Sequence, residues 1–135
     1  MRDLASNIAV RPVIAPVVVA DNTPAVGAVI DRLGFEGLAY VIATGTLADT
    51  DATFAVLLEE SEASGSGFTA VADADLIGTE AGAGFTFADD GKVRKLGYIG
   101  HKRFTRLTIT PTGNSGSAPV SAVAVLGHAA SRPVS

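Results

Sequence analysis

The feature that most constrains this chain is its punctuation. Short apolar stretches alternate with turn signals roughly every 8–12 residues, and no window sustains the periodicity of an amphipathic helix. The last third shows it most clearly. Lys92 to Gly100 reads as a strand, His101 to Thr110 as a second, Pro111 to Pro119 as a polar break, and Val120 to Gly127 as a third. Upstream, Gly37 to Thr44 is apolar on both faces, as a central strand is. In Thr53 to Ser61, alternation puts Phe54, Val56 and Leu58 on one face. Phe68 to Val71 is a short strand, and Asp73 is placed to cap one helical turn. Phe85-Thr86-Phe87 reads as a small strand with both rings on one side, and Asp89-Asp90-Gly91 as a tight hairpin signal. These spacings predict an all-β chain, an antiparallel β-sandwich or barrel of about seven or eight strands.

Domain organisation follows from the prolines. Residues 1–24 are expected to form an extended N-terminal arm, because Pro12 and Pro16 forbid a regular helix or a central strand. The sandwich is expected over 25–127, with 128–135 as a C-terminal tail. The arm is too apolar for a solvated tail, so it lies either on its own domain or on a neighbouring subunit. Its start is a poor secretory signal: Asp3 spoils the basic region, and Arg11, Pro12 and Pro16 interrupt the apolar one. The run Val13 to Ala20 is too short to cross a bilayer, so no membrane partner is expected.

Composition narrows the function classes. Hydrophobic residues make up 47% of the chain and charged residues only 18%. A surface so poor in charge is expected to be partly hidden in an assembly, here a homo-oligomer. The absence of cysteine excludes disulfides and thiolate metal sites. A net charge of −4 argues against direct nucleic-acid binding.

Charge is segregated along the chain. Ten of the 14 acids lie between Asp49 and Asp90. No spacing among them matches a calcium loop, so they read as turn and strand-end chemistry. Six of the 10 bases lie between Lys92 and Arg106. The two segments are complementary, either across adjacent strands or between subunits. On the strand following His101, Leu107 and Ile109 point to the core, while Phe104 and Arg106 share the other face. By the same alternation Val123 and Val125 read as core. Arg and aromatic side chains favour interface centres. Lys102, Arg103, Phe104 and Arg106 are therefore candidate interface residues, joined by Arg11, Val13, Ile14 and Val17 of the arm. His101 and His128 lack a third metal ligand. No serine sits in a G-x-S-x-G elbow, and Ser64-Gly-Ser-Gly67 lacks the lysine and helix of a phosphate loop. No catalytic residue, metal or cofactor is expected.

Five segments carry a resemblance: Gly34 to Leu38, Leu57 to Ser61, Ala72 to Gly78, Leu96 to Phe104 and Ser121 to Gly127. Together they resemble small virion structural proteins of tailed bacteriophages or phage-derived particles. The resemblance spans most of the chain. It implies a jelly-roll-like sandwich serving as a capsid decoration or cement protein that bridges or decorates capsid subunits through the sandwich and its terminal arms, 1–24 and 127–135, with the major capsid protein or other virion proteins as partners. It further implies a place in the virion, on the capsid exterior, after synthesis in the host cytoplasm. Two alternatives accompany it. One is the base of a head fibre or a tail-associated adhesion. The other is a carbohydrate-binding jelly roll, which would display aromatic side chains; this chain has no Trp and only 2 Tyr.

Overall fold

The computed structural model describes residues 2–134. Met1 and Ser135, the outermost residues of the expected arm and tail, lie outside the described residues. The strands are β1 (Ala9–Val19), β2 (Ala25–Val26), β3 (Ile30–Asp31), β4 (Phe35–Thr44), β5 (Thr53–Ser61), β6 (Thr69–Ala70), β7 (Leu76–Ile77), β8 (Phe85–Thr86), β9 (Val93–Tyr98), β10 (Phe104–Thr112) and β11 (Ala118–Ala129). One short helix, α1 (Glu80–Ala83), and three 3-10 turns complete the described residues.

The strands form two sheets. The front sheet runs β1-β11-β4-β9-β7; the back sheet runs β2-β10-β5-β6, with β3 also paired to β10 and β8 also paired to β5. Every pairing is antiparallel. The pairs are nested: β1 with β11, β2 and β3 with β10, β4 with β9, and β5 with β6 and β8. The chain is thus one long hairpin wound over itself. That topology is the jelly roll, an all-β antiparallel sandwich.

Of the two placements open to the N-terminal segment, the structure has residues 9–19 on their own domain. Ala9–Val19 is extended, but it pairs with β11 as an edge of the front sheet. An edge strand needs only one row of its backbone groups, so Pro12 and Pro16 are tolerated. Register shifts lie between Pro12 and Ile14 and between Ile14 and Val17. The tail is docked as well: β11 runs to Ala129, and the Val134 amide donates to the Ser6 carbonyl at 2.7 Å.

Three local expectations change. Asp89-Asp90-Gly91 does not close a hairpin, because β8 belongs to the back sheet and β9 to the front. Phe87 leaves the strand for a 3-10 turn, so Phe85 is buried while Phe87 is exposed. Asp73 begins its turn but makes no side-chain cap.

The core lies between the sheets. Tyr40 and Ile42 of β4, Leu96 of β9, Leu58 of β5 and Leu107 and Ile109 of β10 are fully buried there. Phe54 stacks on Phe85 with ring centroids 4.8 Å apart. A polar tie across the fully buried centre joins the Tyr40 hydroxyl to the Thr105 hydroxyl, front sheet to back. Burial pushes the Tyr40 hydroxyl well above the ordinary tyrosine range, so it remains a neutral hydrogen-bonding group.

Where β6 and β8 leave a gap beside β5, the Glu80 carboxylate of α1 accepts from the Leu58 amide at 2.7 Å. A buried strand amide is thereby satisfied without a strand partner. Thr79 accepts from the Gly82 amide at 2.8 Å and caps the helix.

Candidate interface surfaces

The sandwich presents two outer faces, and they differ in kind. The back face gathers the second half of the sequence-predicted basic segment, Lys102, Arg103 and Arg106, while Arg94 and Lys95 lie on β9 of the front sheet. Arg106 of β10 lies opposite Glu59 of β5, and its Nη2 donates to the Glu59 carboxylate at 3.0 Å. Its guanidinium sits 4.3 Å from the centroid of the Phe68 ring. Arg103 donates twice to Asp31, at 2.8 and 2.7 Å, and lies 4.9 Å from the Phe104 ring centroid. Lys102 pairs with Glu62 at 3.3 Å. Arg103 holds the Asp31 carboxyl below the usual carboxylate range. The Arg106 Nε is buried without a hydrogen-bond partner.

A second network fixes the turn from which this segment emerges. Tyr98 donates to the Glu60 carboxylate at 2.7 Å and accepts from the Lys102 amide at 3.0 Å. Desolvation, aided by the bond to Glu60, pushes the Tyr98 hydroxyl up to about 12. Arg32 lies over the Tyr98 ring and donates to the Lys102 and Gly100 carbonyls. Gly100 is obligatory here, because a Cβ would sit 2.5 Å from the Tyr98 hydroxyl.

The acidic and basic segments therefore meet within the chain. Lys92 and Arg94 both reach Asp89, completing a set in which Lys95 alone of the clustered bases makes no ion pair among the described residues. Asp49 and Asp90 hold loops through backbone amides. Asp49 accepts from the Ser115 and Asp51 amides, which holds its carboxyl below the ordinary range. Asp90 accepts from the Leu47 amide at 2.8 Å.

The eight predicted interface residues do not form one surface. Lys102, Arg103, Phe104 and Arg106 come together toward one end of the back sheet. Arg11 and Val17 are exposed on β1, at the edge of the other sheet. Val13 and Ile14 are only 6% and 8% exposed and belong to the core. The bulges in β1 turn them inward, which alternation from the neighbouring residues does not foresee.

Sequence reasoning missed the front face. Val123 and Val125, read as core, point outward; Val120, Ala122, Ala124 and Leu126 point in. One cross-strand row reads Val10, Val125, Ala39, Gly97 and Ile77, and the next Pro12, Val123, Val41 and Lys95. A third reads Ser121, Ala43 and Val93. Nothing among the described residues covers these rows: Val10 is 53% exposed, Ile77 62% and Val93 66%. These rows contain Lys95 and no acid. Beside them, Pro16, Val17, Val18, Thr44 and Pro119 line a groove of about 390 Å³. The available signal was the low share of charged residues, which carries no information on where along the chain the uncovered apolar residues gather.

No known protein family's model matches the sequence, and no curated protein matches it. Among solved structures, the crystal structure of PBSX exported protein XepA aligns over 94% of this chain with a TM-score of 0.57 and 14% identity. The two share a fold. This chain spans 39% of XepA's length. The structure of Eiger TNF from S. frugiperda aligns over 97% of this chain and 92% of its own, at 13% identity and a TM-score of 0.35, too low to imply a shared topology. No helix among the described residues is long and apolar enough to cross a membrane.

Proposed function

We propose that this chain is a non-enzymatic structural protein of a virion, a capsid decoration or cement protein that attaches through the end of the sandwich bearing Lys102, Arg103, Phe104 and Arg106. The observation that carries this reading is the pre-positioned Arg–aromatic set. Arg103 is held over Phe104 by Asp31, and Arg106 over Phe68 by Glu59. Side chains already ordered before contact lose little entropy on binding, and Arg with aromatic residues is the composition of interface centres. The fold shared with XepA, a protein described as exported, fits a place outside the producing cell, as a capsid exterior is. The resemblance of the sequence to virion structural proteins supports the same class. Because β1 and the tail are bound to their own sandwich, bridging is assigned to the folded body rather than to free arms. Many modest contacts of this kind add across a lattice.

The test is binding to capsids of the encoding phage that lack the protein. The wild type should sediment with them saturably, and Phe104→Ala with Arg103→Ala should lose most of that occupancy while melting as a folded protein. A folded double variant that decorates to wild-type occupancy refutes the attachment site. A wild type that stays in the supernatant refutes the virion role.

A further inference from the structure

We infer that the outer face of the front sheet is covered in solution by a second copy of this chain, packed face to face. This does not depend on the virion reading. The area is the first reason. The front sheet has five strands. At the usual strand spacing and rise, a sheet of that width and about eight residues of length presents roughly 650 Å². That footprint, Lys95 and Ser121 included, approaches the roughly 800 Å² each partner contributes to a standard interface.

Charge is the second reason. The chain carries a net charge of −4, so two copies repel across most approaches. The three rows of the front face hold no acid, so this is where two copies meet without opposing carboxylates. Lys95, the clustered base without an ion pair among the described residues, is the one charge to place. A twofold axis along the β11–β4 seam puts the two Lys95 side chains on opposite flanks. They are then about three strand spacings, ~14 Å, apart, so the two ammonium groups do not oppose one another directly.

Shape is the third. Gly97, Ala39 and Ala43 alternate with Val41, Val123 and Val125, a low-relief pleat against which a second twisted sheet packs in the aligned manner of a sandwich. An axis along the strands also turns the Arg103–Phe104 ends of both copies to the same side. An isologous contact of this kind closes at the dimer.

The test is the mass of the purified full chain by light scattering and analytical ultracentrifugation. At ~100 µM, where even weak specific dimers populate, the wild type should show twice the 13.6 kDa of one chain. Val123→Glu, at the centre of the face, should weaken the dimer on the order of 100-fold. Val10→Glu, on the edge strand, should weaken it with the sandwich intact even if Val123→Glu fails to fold. Thr108→Glu, on the back face, should leave the dimer unchanged. A monomeric wild type, a trimer, a dimer that survives both front-face charges, or one broken by Thr108→Glu overturns the inference. A monomer whose capsid binding is abolished by Val123→Glu would assign the face to the shell instead. Because mass is read without capsids, a monomeric mass by itself leaves the proposed attachment site untouched.

Discussion

Replacing Thr105 by valine should destabilise the protein although no apolar contact is lost. Thr105 and Tyr40 are both fully buried, and their hydroxyls are bonded to each other across the two sheets. Thr105→Val leaves the Tyr40 hydroxyl buried without a partner. That desolvation penalty is about 1–3 kcal/mol. Tyr40→Phe strands the Thr105 hydroxyl at a similar cost. Removing both hydroxyls removes both penalties, so the double variant should cost clearly less than the sum, with a coupling of about 1–3 kcal/mol. For a domain of this size each kcal/mol moves the melting temperature about 3–5 °C. Urea titrations followed by circular dichroism give the four stabilities, and the urea slope should not change, because the surface exposed on unfolding does not. A coupling below ~0.3 kcal/mol would refute the pairing as an energetic tie.

Other consequences are as direct. Gly27→Ala would place a Cβ 2.6 Å from both the Leu107 carbonyl and a Val13 methyl, so it should cost about 1–3 kcal/mol and lower the melting temperature. Arg106→Ala should cost only about 1 kcal/mol, since its pair with Glu59 is partly solvated, and high salt should shrink the difference in thermal melts. Stability should be flat through neutral pH and fall at both ends. Asp31, Asp49 and Asp89 have lowered folded pKa values, so their contribution is complete above the unfolded value of about 3.9 and is lost as pH falls below it. Tyr40 and Tyr98 have raised ones, so theirs is complete below about 10 and is lost as pH rises further. Melting temperatures measured from pH 2 to pH 12 check both limbs; a chain most stable at either extreme would refute the assignments.

Much of the strand content was legible because it rests on local chemistry. Phe54, Val56 and Leu58 alternate with polar neighbours, and all three are buried as that alternation requires. Leu107 and Ile109 behave likewise, with Phe104 and Arg106 on the opposite face. β11 shows where such reading fails. Its sequence alternates Ala and Val, apolar on both parities, so periodicity fixes a strand but not which parity faces in. Pairing decides it: Val123 is registered with Val41 and Pro12 on the outer side, while Ala122 and Ala124 join the core. The interface prediction inherited the same limit. It named the basic and aromatic residues of one strand and Arg11, Val13, Ile14 and Val17 of the N-terminal segment, and it did not name the Val, Ala and Gly rows of the front face.

The sequence by itself determined that this chain is a cysteine-free antiparallel sandwich in which only 18% of residues are charged. Those properties depend on composition and on the two-residue period of a strand, which neighbours along the chain set. The tertiary structure alone decided that residues 9–19 close an edge of the sheet, that acids and bases pair within the chain, and that the uncovered apolar surface is the front face. Each depends on which strands lie side by side. In a fold where the first strand pairs with the last, that information is distributed over the whole length of the chain.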